Sequence, residues 1–363
     1  MKIDTKRFGV AAAALAIAAT MLSACSNGSD TAAGAATGGS SGKALTIGLL
    51  LPETVVARYE EKDKPYFEAK LKELCPDCTV IYANADSDAA KQQQQAQSML
   101  TQGVKALVVD PYDGVAAASI VEAAAAQHVP VVSYDRLIKS DKVTYSISND
   151  YEKVGELQAT SLVAKLKADG VAPTAGGIVM LNGASTDNNA GAIKKGALSV
   201  INGSGFPVLA DISTWDPTEA QNFTAGQITK FGDKIVAVYS ANDGNAGGAI
   251  AAFKAGGRAV PPMTGLDASL AGLQQIVAGD LYMTVYNSFK GEAQAAAEVA
   301  YKLAKGDKVK GETTVDGIPS TLLQPKAVTV DKIKDTVIAD DFYTAAKICT
   351  AEYAAACKKA GIE

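Results

Sequence analysis

One histidine, one tryptophan and no block of basic residues narrow what this 363-residue chain can do. The lone His128 cannot anchor a histidine-rich zinc site. Its setting, Gln-His-Val-Pro, reads as the end of a helix and supplies no partner for a Ser–His–Asp arrangement. After Met21 no apolar run is long enough to cross a bilayer as a helix. The formal charge is −5; Lys2, Lys6, Arg7 and Asp4 contribute +2, which leaves −7 over residues 25–363. An acidic chain without basic clusters is a poor partner for nucleic acid.

The charges that are present at the N-terminus have a purpose. Lys2, Lys6 and Arg7 precede an uncharged stretch from Phe8 to Met21, followed by Leu22-Ser23-Ala24-Cys25. A short basic segment, a brief apolar segment and then small residues predict an export signal over residues 1–24. The Leu-Ser-Ala-Cys ending resembles a bacterial lipobox, which implies lipid on Cys25 and attachment to the membrane by that lipid alone. The alternative is an ordinary secretory signal with a coincidental cysteine. The expected tether covers residues 25–43, small, polar and Gly-rich (SNGSDTAAGAATGGSSGK after Cys25), which cannot bury enough apolar surface to fold. As a flexible coil it reaches roughly 23 Å. The protein is therefore expected outside the cytoplasm, on the periplasmic side or the outer face of the plasma membrane.

Cys75, Cys78, Cys349 and Cys357 remain, an even number that predicts two disulfides in an exported protein. Of the three pairings, the local ones, Cys75–Cys78 and Cys349–Cys357, are favoured. Eight residues of unbroken helix rise about 12 Å, so a helix must end between Cys349 and Cys357. A redox-active pair at Cys75/Cys78 is the weaker reading, since Pro76-Asp77 follows a helix and does not begin one.

The body exceeds one typical hydrophobic core and alternates strands with helices. Strands are predicted at residues 45–51, 79–83, 106–109, 131–134, 145–148, 177–181, 208–212, 235–239 and 283–286. Helices are predicted at 58–74, 89–102, 116–127, 151–167, 189–201, 218–231, 244–255, 270–278 and 290–305. This pattern predicts an α/β fold with two doubly wound parallel-sheet lobes and right-handed crossovers. The Gln92–Gln95 tract is expected to face solvent.

Ligands of open parallel sheets sit beyond the carboxyl ends of strands. Those ends carry Arg58-Tyr59, Asp135-Arg136, Asp187-Asn188-Asn189, Trp215, Asn242-Asp243, Asp267 and Asn287. Any one Asp or Asn there is most simply a helix cap, and Asp150 and Asp243 are assigned to capping. As a set they supply the donors and acceptors that a ring of hydroxyls requires, with Asp135, Arg136, Asp187 and Asp267 forming the charge-assisted bonds. The aromatics cover apolar C–H faces.

The segments SYDRLI, SNDYEKVGELQA, GASTDNNA, SANDGNAGGAI, GLDASLAGL, MTVYN and KDTVIAD make the chain resemble type I periplasmic sugar-binding proteins, in the D-xylose-binding branch of ABC importers. The resemblance runs from the first strand to about Asp340. It implies three crossovers, near Ser148-Asn149, Tyr286-Asn287 and Ile318-Pro319. The first lobe is then 44–148 plus 288–318, and the second 149–287 plus 319–363. It implies one monosaccharide, xylose or a related aldose, held by Arg58, Asp135, Arg136, Asp187, Asn189, Asn242 and Asp267, with Trp215 as stacking platform. Tyr59 stands where the family has tryptophan. Asn287 replaces a family lysine, which removes one cation and leaves space. A permease with its ATPase is the implied partner, the protein a monomer, and no cofactor or metal is expected.

Two other functions compete. A secreted glycosidase would use two of Asp135, Asp187 and Asp267, but each is expected to travel with Arg or Asn partners that favour its charged form. A sensor would present the same sugar-bound state to a receptor. A DNA-binding regulator of this fold is excluded, because signal and tether replace its helix-turn-helix.

Overall fold

The computed structural model describes residues 45–362, so the expected signal, Cys25 and the tether lie outside the described residues. The strands are β1 (Thr46–Leu51), β2 (Thr79–Asn84), β3 (Ala106–Val109), β4 (Val131–Tyr134), β5 (Tyr145–Asn149), β6 (Gly177–Asn182), β7 (Val208–Ser213), β8 (Ile235–Ser240), β9 (Thr284–Tyr286), β10 (Thr313–Val315), β11 (Ile318–Leu323) and β12 (Lys326–Val328). Between them run α1 (Lys64–Leu74), α2 (Ala89–Thr101), α3 (Ala118–Ala125), α4 (Tyr151–Ala168), α5 (Asn188–Ile201), α6 (Pro217–Phe231), α7 (Asp243–Ala255), α8 (Leu270–Ala278) and α9 (Phe289–Ala304). The short α10 (Ala345–Ile348) and α11 (Ala354–Ala360) close the chain.

The first lobe is built on a sheet ordered β10-β11-β5-β4-β3-β1-β2, parallel apart from the β10–β11 hairpin. Its middle strands β3 and β4 are buried along their whole length, as the unbroken runs ALVV and VVSY require of strands covered on both faces. On one face lies α9, whose Ala293, Ala296, Ala297 and Ala300 recur at helical spacing and pack with Val108 and Tyr134. The second lobe has the parallel set β7-β6-β8, extended through bridges at Val238–Met263 and Leu266–Val285 to the antiparallel pair β9–β12. The chain passes between the lobes after β5, after β9 and after β11.

The third passage differs from the expected position at Ile318-Pro319. β11 pairs in parallel with β5 from Ser320–Ser146 to Leu323–Asn149, so the chain leaves the first sheet only after Leu323. Pro319 faces Thr314 of β10 near the sheet edge, where a missing N–H is tolerated.

Three further expectations need correction. The helix drawn from Arg58 begins with a π-helical turn, Tyr59–Asp63, before α1; this wide turn buries Tyr59, Lys62 and Asp63 together. Gln92 is buried: its amide donates to Asp110 O at 2.7 Å and accepts from Tyr112 N at 3.0 Å, so only Gln93 and Gln94 of that tract are exposed. Asp243 does not cap α7. Asn242 does, accepting from Asn245 N, while the Asp243 carboxyl takes Ser269 N at 2.7 Å and Thr284 Oγ1 at 2.7 Å. Asp150 caps α4 through Lys153 N.

Disulfides join Cys75 to Cys78 and Cys349 to Cys357, with Cα separations of 5.2 and 5.8 Å. α10 ends at Ile348 and α11 starts at Ala354, which brings the second pair within reach. His128 lies in an exposed turn with φ of 57° after α3.

Candidate functional site

Arg58 is gripped by three carboxyl groups. Asp63 takes Nε at 2.8 Å and Nη2 at 3.0 Å, Asp135 faces Nη1 at 2.9 Å, and Glu292 lies 3.3 Å from Nη2. Arg136 is held the same way, by Glu53 at 2.8 Å, Asp187 at 3.1 Å and Asp110 at 3.8 Å. Arg58 also lies over the ring of Phe289, with Cζ 3.7 Å from the centroid.

These arginines line a cavity between the lobes. Nine of the ten residues proposed from sequence line it: Arg58, Tyr59, Asp135 and Arg136 from the first lobe, and Asp187, Asn189, Trp215, Asn242 and Asp267 from the second. Asn287 does not. It is fully buried at the end of β9, and neither its Oδ1 nor its Nδ2 has a hydrogen-bond partner. A short amide in the place of a long lysine stops inside the wall.

Local backbone chemistry aims the side chains. Asp135 and Asp267 follow a strand and a bridge residue and adopt positive φ, 57° and 94°, a conformation that L-residues hold only when their surroundings demand it. Asp187 and Asn242 serve twice. Each caps a helix with one oxygen, α5 through Asn189 N and α7 through Asn245 N. The other Asp187 oxygen accepts from Trp215 Nε1 and forms an ion pair with Arg136, and the Asn242 amide nitrogen has no partner among the described residues.

Tyr59 is more than a substitute aromatic. Its hydroxyl accepts from Arg136 Nη2 at 3.0 Å, which an indole cannot do. Trp215 depends on Gly183: a Cβ there would stand 2.1 Å from the indole ring.

Several contacts cross between the lobes outside any ligand. Asn189 Nδ2 donates to Asp135 Oδ1 at 3.1 Å, and Asn188 Nδ2 to Leu137 O at 2.8 Å. Lys62 Nζ reaches Phe342 O at 2.9 Å and sits 3.7 Å from the Tyr343 ring centroid.

Six carboxyl groups around two guanidiniums cannot all be ionised in so buried a place. Burial pushes Asp110 and Glu292 well above the usual carboxylate range, and the charge of Asp135 adds to this. Asp63 and Asp187 are raised as well, by burial first and against the pull of their arginines. Asp267 differs from the expectation that each cleft carboxylate has an Arg or Asn partner. It has no hydrogen-bonding partner among the described residues, and burial, reinforced by Asp135 and Asp63 against Arg58, brings it to about 7. One such acid does not make a glycosidase. The second carboxylate of such a pair would have to be Asp135 or Asp187, and both are tied to arginines.

The sequence reading missed Glu53, Asp63, Asp110, Glu292, Tyr151, which donates to Asp135 Oδ1, and Gly183. Asp63 had a signal, five residues from Arg58 on one helix-like turn. Glu292 had none, being 234 residues away.

Among the described residues no helix is long and apolar enough to cross a membrane. A model of the periplasmic binding protein domain matches residues 47–308. The D-xylose-binding periplasmic protein of Escherichia coli is 35% identical over 312 residues, covering 83% of this chain and 92% of that protein. Its Haemophilus influenzae namesake is 34% identical over 313 residues, 83% of this chain and 91% of that one. A solved carbohydrate transporter solute-binding protein from Chloroflexus aurantiacus, in complex with D-glucose, superposes with a TM-score of 0.75 at 26% identity, covering 84% of this chain and 98% of that one. These relatives and neighbours are binding proteins, not enzymes. Two α/β lobes, a polar cavity between them and a family match across most of the folded body together place this chain in the periplasmic binding protein family.

Proposed function

We propose that the protein captures one neutral monosaccharide, xylose or a related aldose, between its lobes and delivers it to the permease and ATPase of an ABC importer. The observation that carries this reading is the division of labour in the cavity. Both guanidiniums are already satisfied by carboxyl groups, whereas the Asp267 carboxyl and the Asn242 amide nitrogen have no partner among the described residues and line the same cavity as Trp215. A saturated arginine has little left for a carboxylate or phosphate, so sugar acids and sugar phosphates are disfavoured. Free acceptors and donors beside an indole suit hydroxyls and the C–H face of a pyranose. The names of the Escherichia coli and Haemophilus influenzae relatives support xylose. Asn287, in place of lysine, is the reason to include other aldoses.

Closure is driven by contacts that both lobes make to the sugar, since a ligand shifts an equilibrium only by differential affinity. The handover occurs at the membrane surface, where lipid on Cys25 and the tether over residues 25–43 hold the carrier as a monomer. Calorimetry with neutral pentoses and hexoses, uronic acids and sugar phosphates tests the reading. Saturable one-to-one binding confined to neutral sugars is expected; binding of the acids alone, or of nothing, refutes it. Conversion of Cys25→Ser should release the protein from the membrane fraction.

A further inference from the structure

Glu292 does not line the cavity, yet it touches both the site and the passages between the lobes. It lies in the first turn of α9, just after the chain has returned through the second passage, and is fully buried. Its Oε2 accepts from Arg58 Nη2 at 3.3 Å and from Asn149 Nδ2 at 3.0 Å. Asn149 is the last residue of β5, at the first passage, and pairs in register with Leu323, the last residue before the third. Asp150 N donates to Leu323 O at 3.1 Å and tightens that junction. In the other direction Arg58 reaches Asp135 at 2.9 Å, and Asp135 receives Asn189 from the opposite lobe at 3.1 Å. One line of polar contacts therefore runs from the hinge, through Glu292 and Arg58, to the far wall.

This arrangement is poor if stability is its only use. Glu292 Oε1 and Asn149 Oδ1 are buried without partners, which lowers stability. An apolar pair of similar size would avoid that cost. The guanidinium carbon of Arg58 lies 3.7 Å from the centroid of the Phe289 ring, and Phe289 opens the same helix that carries Glu292.

We propose that Glu292 is a positioning residue that couples the hinge to the cavity: it ties Arg58 to Asn149, so that lobe rotation and the placing of the Arg58–Asp135 pair in the cavity wall occur together. Without it Arg58 pivots toward Asp63, its bidentate partner. The inference rests on the sugar-binding reading of the site.

The test measures affinity by calorimetry, using whichever of D-xylose, D-ribose, D-glucose and D-galactose the wild type binds most tightly. Folding is checked by circular dichroism and thermal unfolding. Asn149→Ala and Glu292→Leu should each weaken binding by about fivefold or more, although neither position meets the sugar. Their combination should be no weaker than Glu292→Leu alone. Glu292→Gln keeps an acceptor for both donors and should return to within about twofold of wild type. If Asn149→Ala does not fold, Asn149→Ser, whose hydroxyl falls short of Glu292, takes its place with the same expectation. Wild-type affinity in the Asn149 or Glu292→Leu variant, additive losses, or a Gln variant as weak as the Leu variant each overturn the inference. A merely structural role would lower the unfolding temperature and leave affinity unmoved. If the wild type itself binds none of the four sugars, the sugar reading falls, and this inference with it.

Discussion

Asp187 Oδ2 receives the indole N–H of Trp215 at 3.1 Å and pairs ionically with Arg136, whose Nε lies 3.1 Å away. One oxygen thus fixes both the cavity's flat apolar wall and one of its two cations. The orientation of the aromatic wall is set before any ligand arrives, which limits the entropy that binding must remove.

Trp215 is the only tryptophan, so intrinsic fluorescence reports on this wall alone. Titration with the preferred sugar should change emission saturably at a stoichiometry of one. Gly183→Ala places a methyl group where the ring now lies and should weaken binding about tenfold or more while shifting the emission of the unliganded protein. Unchanged emission and affinity in that variant would show that the ring is not held against Gly183.

Affinity should depend on pH through Asp267. Its carboxyl titrates near 7, and the ionised form accepts hydroxyl hydrogens while the protonated form has less capacity to do so. Binding therefore strengthens as pH rises from about 6 to 8, weakens as it falls, and releases protons near neutrality. Calorimetry in buffers of different ionisation enthalpy measures that release. Asp267→Asn should flatten the dependence between pH 6 and 8 and lower affinity throughout; a pH profile identical to wild type would assign the dependence elsewhere.

Asn287→Lys tests sugar choice. It returns a long cation to a position where a buried amide now lacks partners. The ratio of pentose to hexose affinity should shift by about tenfold or more, or 1.4 kcal/mol. A ratio that does not change separates position 287 from specificity.

Much of the fold was legible because its physics is local. Continuous β-branched runs such as ALVV and VVSY announce strands covered on both faces, and β3 and β4 fall where those runs lie. The strand-end rule located nine cavity residues for the same reason, since parallel sheets present one end to a ligand. The hairpin β10–β11 is also written locally, in Asp316-Gly317, both with positive φ, although no strand is predicted there. The carboxyl groups around the arginines divide in two. Glu53 and Asp110 lie just past the carboxyl ends of β1 and β3, within reach of the same rule, whereas Glu292 lies on α9, and no spacing rule relates it to Arg58. Its proximity exists only once α9 has packed on the first lobe's sheet.

The bond from Lys62 to Phe342 O joins the lobes through protein atoms alone. A contact of that sort favours the lobe arrangement that makes it by the same amount whichever sugar is offered. It therefore raises or lowers affinity for every sugar together and leaves the choice among them to the cavity.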